Sequence, residues 1–279
     1  MNTKKELQEK DLKPIKHFGQ NFLVSEEIIE RIISKAKIKN GENILEVGPG
    51  TGNLTEALLK AGAEVVAVEK DEELVQLLNS KPQITNYKLK IINQDILSFN
   101  ETTLASPYRV IANIPYYLTG KLIQKFLLSA NKPSELILML QKEVAERIAA
   151  EPPKANFLSS FVQFMAKTEV LFMVNKDNFW PKPEVDSAII KLTPQPFSMS
   201  LRSYAHAKDF DEMGEVREYI DFLHNVFKQP RQTLFNNLKK TNTAKQEELE
   251  NIFKQLKFDK KIRAQNLNKE NLLELHKLL

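Results

Sequence analysis

Residues 113–120 read Asn-Ile-Pro-Tyr-Tyr-Leu-Thr-Gly, directly after the apolar run YRVIA. An amide, a rigid corner and an aromatic ring at the end of one strand suit a flat heterocycle bearing an exocyclic amine. Such an amine is a poor nucleophile, because its lone pair is delocalised into the ring. The side-chain oxygen of Asn113 and the backbone carbonyl of Ile114 are of the type that accepts its two N–H bonds. They would hold the nitrogen in line and favour the positive charge developing there. Pro115 fixes the corner, and Tyr116 offers a face to stack on the base. Read alone, the stretch is also explained as a strand end with packed tyrosines.

A second set of residues lies upstream. The stretch ILEVGPGTGNLTEALL puts Gly48, Gly50 and Gly52 between a strand and a helix. Glycine there lets the backbone turn sharply and a ligand come close. The spacing is G-x-G-x-G and not the dinucleotide fingerprint G-x-G-x-x-G, which disfavours a pyrophosphate at the helix N-terminus. Glu46 argues the same way and favours a cationic ligand portion. Glu69 ends the next strand about twenty residues on, where a carboxylate takes ribose hydroxyls. Asp95, in NQDIL, follows a third strand and suits an adenine amino group. Each has a plainer reading, a turn for the glycines and a helix cap for Asp95. Together they mark successive strand ends on one face of an α/β sheet, the usual ligand edge. A cofactor joining adenosine to a positive centre is S-adenosylmethionine.

The elements that must position these residues follow from periodicity. Strands are expected at 43–47, 64–69, 88–92, 108–113 and 135–140, alternating with helices at 28–36, 54–61, 71–79, 120–129 and 142–150. Ser25 is the expected N-cap of the first helix, with Glu26 and Glu27 in its first turn. That alternation argues an α/β fold, a mostly parallel Rossmann-like sheet with helices on both faces. After residue 165 two further strands, TEVLFMV and AIIKLTP, flank the proline-rich FWPKPEV. From about 197 only helical patterns follow. The prolines of TPQPFS place the boundary between a domain at 1–196 and a small all-helical domain at 197–279.

Composition narrows the classes. With 279 residues, 42% hydrophobic and 27% charged, the chain has enough apolar matter for a real core. The absence of cysteine excludes disulfides, thiolate metal sites and cysteine nucleophiles, and it suits a reducing cytoplasm. No apolar run reaches membrane-spanning length, and the start has no signal-peptide pattern. Neither a metal site nor a membrane partner is expected. The net charge of +4 is too small to argue a nucleic-acid partner by itself. Locally, residues 226–240 carry Lys228, Arg231, Lys239 and Lys240 without one acid, a pattern for holding phosphates or for an ordinary solvated helix. The lysines of residues 4–16 alternate with acids and read as a solvated tail. His17 has no assignable chemistry, and Trp180 reads as core in preference to a base platform.

Taken together, KHFGQNFL (16–23), LEVGPGTGNLTEALL (45–59), VEKD (68–71), QDIL (94–97), NIPYYLTG, LMLQKEVAERI (138–148) and FWPKPEVDSAIIKL (179–192) resemble one family in order. It is the bacterial small-subunit ribosomal RNA adenine N6-dimethyltransferases, and VFKQPRQTLFNNLKK with IRAQNLNKENLLEL extends the likeness to the end. The resemblance implies a class I S-adenosylmethionine-dependent methyltransferase that dimethylates two adjacent adenosines in the 3′-terminal hairpin of 16S rRNA. The substrate implied is the 30S subunit or its precursor, met by a monomer in the cytoplasm. It further implies that Asn21, Leu23, Gly48, Gly50, Glu69, Lys70, Asp95, Ile96 and Asn113 contact the cofactor. Asn113, Ile114, Pro115 and Tyr116 would meet the target base, with Phe179 packing on the adenine opposite Tyr116. Base stacking of that kind contributes about 1–3 kcal/mol, enough to offset extruding the base. The chain departs from the family pattern at Thr119-Gly120, at QPRQ, where Arg231 stands alone, and over 197–216, a loosely matching insertion. Two alternatives stay open: a 23S rRNA methyltransferase of the macrolide-resistance type, and a non-catalytic RNA-binding assembly factor.

Overall fold

The computed structural model describes residues 3–10, 12–15, 19–195, 212–240 and 245–279. His17 and residues 197–211 of the insertion lie outside them. The chain runs α1 (Thr3–Glu9), β1 (Phe22–Leu23), α2 (Glu26–Ala36), β2 (Asn43–Val47), α3 (Asn53–Lys60), β3 (Glu64–Glu69), α4 (Glu72–Asn79), α5 (Pro82–Thr85) and β4 (Leu89–Asn93). It continues with β5 (Tyr108–Asn113), α6 (Thr119–Leu128), β6 (Glu135–Gln141), α7 (Lys142–Ile148), α8 (Phe157–Met165), β7 (Ala166–Val174), β8 (Phe179–Trp180) and β9 (Ser187–Pro194). Among the described residues after these come α9 (Glu212–Phe227), α10 (Leu234–Lys240), α11 (Gln246–Gln255) and α12 (Lys269–Leu278).

A seven-stranded sheet of order β4-β3-β2-β5-β6-β9-β7 carries the site. β2, β3, β4, β5 and β6 pair in parallel, and β9 runs antiparallel to β6. The chain leaves β2 toward β3 and β4 on one side, then returns to place β5 on the other. The crevice at the strand ends of β2 and β5 is therefore the topological switch point, where open sheets of this kind bind ligands. Successive buried residues along β5 and β6 require cover on both faces of the sheet. α2 supplies part of that cover. Ser25 Oγ accepts from Ile28 N at 3.4 Å, and Ile28, Ile29, Ile32 and Ala36 form its buried face.

Arg109 locks the start of β5 to its neighbours. Its guanidinium, 9% exposed, donates to Glu42 Oε2 at 3.1 Å, to the Ala36 carbonyl at 2.8 Å and to the Glu135 carboxylate. Charges buried to this degree persist only when paired and hydrogen-bonded.

By internal packing the chain falls into two units, Met1–Ala145 with Thr168–Pro194, and Glu146–Lys167 with Gln195–Leu279. Residues 146–167, read from sequence with the first domain, thus pack with the second. The reason is aromatic: Phe164 meets Tyr219 with ring centroids 4.1 Å apart, and Phe157 stacks on His224 at 4.2 Å. The N-terminal segment also departs from the tail reading. Its residues 3–9 form α1, whose Leu7 is 1% exposed and clusters with Phe22, Leu74 and Leu77.

Candidate active site

The turn after β2 needs left-handed backbone. Gly48 and Gly50 have φ of 63° and 58°, a region that residues with a Cβ rarely occupy. At Gly50 a Cβ would also strike the Phe22 ring at 2.9 Å. The loop's conformation is set by bonds at its edge: Gly48 N donates to the Val68 carbonyl at 2.9 Å, and Gly50 N to Glu69 Oε2 at 3.2 Å.

Glu69 is 7% exposed, and its other oxygen accepts from Lys70 N at 2.8 Å and Asp71 N at 3.0 Å. Burial raises its pKa, and those backbone donors pull the other way. Asp95 takes the capping part that its plainer reading gives it. Its Oδ1 caps the following turn, accepting from Leu97 N at 2.9 Å, while Oδ2 accepts from Lys70 Nζ at 3.0 Å. The Leu97 bond first, then Lys70, hold its carboxyl below the usual range.

Asn113, at the end of β5, donates through Nδ2 to the Asn21 carbonyl at 3.0 Å. A carbonyl only accepts, so the amide nitrogen must face it and Oδ1 turns the other way. Asn21 also donates to the Gly19 carbonyl at 3.2 Å, and Leu23 accepts from Asn53 Nδ2 at 2.8 Å. Those bonds hold the strap of residues 19–23 across the strand ends. Past Asn113 the corner is rigid: Ile114 N donates to Met139 O at 3.3 Å, and Leu118 N to Pro115 O at 3.0 Å. Burial raises the pKa of Tyr116, whose ring is held in the corner.

These groups enclose one open-mouthed cavity whose empty space, mouth included, is about 980 Å³. All nine residues expected at the cofactor line it, as do Ile114, Pro115 and Tyr116. Phe179 does not. It is 4% exposed and belongs to the main core with Leu23, Ile28 and Ile189. Pairing of β1 with β8 sets Leu23 opposite Phe179. Trp180 is partly buried against the cluster around Leu7.

Glu46 lines the same cavity at 1% exposure, and its Oε2 has no hydrogen-bond partner among the described residues. Burial, with Glu69 nearby adding to it, pushes its carboxyl up to about 8. A buried carboxyl with an unmet oxygen suits a ligand hydroxyl, and a cation bound beside it would favour its ionised form.

Gln20 was not singled out from sequence, though it sits inside GQNFL. Its Oε1 accepts from Ile15 N at 2.6 Å, and its Nε2 donates to Asp71 Oδ2 at 2.7 Å. Among the described residues no cluster could hold a metal ion, and no helix is long and apolar enough to cross a membrane.

In the second unit Lys228, Arg231, Lys239 and Lys240 are exposed. Asn237 donates to the carbonyls of Val226 and Gln229, each at 3.1 Å, and so fixes the turn that carries the first two. Lys239 Nζ donates to Gln246 Oε1 at 2.7 Å.

Residues 12–279 match the family model described as ribosomal RNA adenine dimethylase. A ribosomal RNA small subunit methyltransferase A of Mycoplasmopsis pulmonis is 37% identical over 93% of this chain and 96% of its own. The protein of that name from Lactobacillus johnsonii is 35% identical over 95% and 90%. Among solved structures, a dimethyladenosine transferase from Plasmodium falciparum superposes with TM-score 0.74 at 26% identity, covering 91% of this chain and 95% of that one. The 23S rRNA methyltransferase ErmE shares the fold, with TM-score 0.70 at 22% identity over 93% and 99%.

Proposed function

Since the chain belongs to the ribosomal RNA adenine dimethylase family, we propose that it dimethylates the N6 nitrogens of two adjacent adenosines near the 3′ end of 16S rRNA. The methyl donor in this reading is S-adenosylmethionine, and the substrate is the 30S subunit or its precursor, engaged by a monomer. The names of the relatives, which act on small-subunit rRNA, support the choice of subunit.

The residues present fit that donor. The glycine loop gives close backbone approach, Glu69 offers acceptor lone pairs for ribose hydroxyls, and Asp95 offers them for an adenine amine. The unmet oxygen of Glu46 is open to a ligand group, and a cation placed beside it would favour loss of the carboxyl proton. Once bound, the donor supplies an activated methyl group, so no strongly basic residue is required at the corner.

The observation that carries the reading is the orientation of Asn113. With Nδ2 committed to Asn21, its oxygen accepts one N–H of a target amine, and the Ile114 carbonyl accepts the other. Both acceptors leave the nitrogen lone pair less engaged with the ring and favour its developing charge. Tyr116 presents a stacking face. After transfer the surplus proton leaves to water, and the monomethylated amine turns to re-engage Asn113. Lys228, Arg231, Lys239 and Lys240 supply phosphate contacts in this account, giving an affinity that falls with salt.

The test is mass spectrometry of ribosomal subunits incubated with the protein and labelled donor. Doubly methylated adenosines at adjacent 16S positions are expected. Label appearing only in 23S rRNA, or in neither, would overturn the proposal.

A further inference from the structure

Lys81 is a lysine in an unlikely place. Its side chain is 5% exposed, and its Nζ donates to the Thr51 carbonyl, within the glycine loop, at 2.7 Å. The same ammonium pairs with the Glu6 carboxylate of α1. Lysine is almost never buried without a partner, and an apolar side chain of similar size would pack there at lower desolvation cost. The bond it makes therefore calls for an explanation beyond filling space.

The scaffold around Lys81 holds its backbone firmly. Its N donates to Leu78 O at 3.1 Å, and its carbonyl accepts from Ile84 N and Thr85 N, each at 3.1 Å. The ammonium is thus presented to Thr51 by the end of α4 and the start of α5. Thr51 is flanked by Gly50, whose N–H is held by Glu69, and by Gly52, the N-cap of α3. The loop is gripped on one side by a cavity carboxylate and on the other by this lysine.

α1 reaches the loop by a second route. Leu7 packs with Phe22, and the Phe22 ring fills the space that a Cβ at Gly50 would need. A helix of seven residues is marginal alone, so α1 depends on these contacts and the loop in turn leans on α1.

We infer that α1 is a working part of the cofactor site, with Lys81 and Glu6 as positioning residues that fix the glycine loop in its ligand-ready shape. The inference rests on the reading of that loop as the methyl-donor site. A pair that served only stability would lower the melting temperature without singling out one ligand.

The experiment uses the full chain and four proteins: wild type, Lys81→Met, Lys81→Arg and Glu6→Gln. Calorimetry measures binding of S-adenosylhomocysteine, and initial rates give KM for donor and for small subunits separately. Lys81→Met is expected to weaken S-adenosylhomocysteine about tenfold, or about 1.4 kcal/mol. Its KM for subunits and its kcat at saturating donor should stay within about twofold. Lys81→Arg, which keeps a charged donor, should recover most of the affinity. Glu6→Gln, nearer the surface, should weaken binding about threefold and serves if Lys81→Met fails to fold. Unchanged S-adenosylhomocysteine affinity in the soluble variants would overturn the inference, as would donor and subunit KM rising together. If wild type itself binds no S-adenosylhomocysteine, the donor-site reading falls first and the inference falls with it.

Discussion

The phenol oxygen of Tyr116 lies 2.8 Å from the hydroxyl of Ser187, joining the corner after β5 to the first residue of β9. Ser187 is fully buried, so this bond fixes the tilt of the ring that faces the cavity. Ser187→Ala and Tyr116→Phe are each expected to slow methyl transfer about two- to tenfold, the scale of one neutral hydrogen bond. The double variant should be no slower than the slower single one. Initial rates of the four proteins check this, because losses that multiply would mean the two side chains act separately.

Asn113→Ala removes the acceptor at the target amine and leaves the cofactor edge at Glu69 and Asp95 in place. Single-turnover rates should fall about a hundred- to thousandfold, as for other preorganised polar groups. Binding of S-adenosylhomocysteine should weaken far less than the rate, because Asn113 is one of nine expected cofactor residues lining that cavity. Asn113→Asp should do no better, since a carboxylate cannot donate to the Asn21 carbonyl.

Glu46 gives a pH signature. Its carboxyl is held at about 8 in the folded chain against an ordinary value of 4.5, so the folded state keeps a proton that the unfolded state releases. Its contribution to stability is therefore full below the unfolded value and is lost as pH rises toward the folded one. Melting temperature should decline from pH 5 to 8 more steeply in wild type than in Glu46→Gln. Parallel profiles would count against a buried protonated Glu46.

Arg109→Ala strips the shared partner from Glu42 and Glu135, whose side chains are only 22% and 23% exposed. Breaking a buried pair from one side costs about 3 kcal/mol, and this chain should lose that much in urea unfolding. Arg109→Met with Glu135→Leu should recover a large part of it, which the same measurement reads.

Much of this organisation was legible in the residues because it rests on local rules. The Ile pattern of α2, its Ser25 cap and the glycines after β2 each declare themselves within a few positions. Asn113 was legible for the same reason: a strand that ends on Asn-x-Pro-Tyr presents that amide at the sheet edge. The burial of Phe179 was not, because it is decided by packing with Leu23, Ile28 and Ile189, residues of distant segments. Lys81 looks like any surface lysine before a proline, and only the fold brings Thr51 and Glu6 to it. α1 is too short to announce itself, and its helix follows from where Leu7 is received. The unit to which 146–167 belongs is likewise settled by ring contacts with α9.

The ribbon of β1 and β8 is only two residues deep on each side, yet it carries Asn21 into place for Asn113. So small a ladder opens at lower free energy than the large sheet beside it. Warming should therefore silence this molecule before it denatures: activity fades while the sheet's circular dichroism still holds, and cooling restores it.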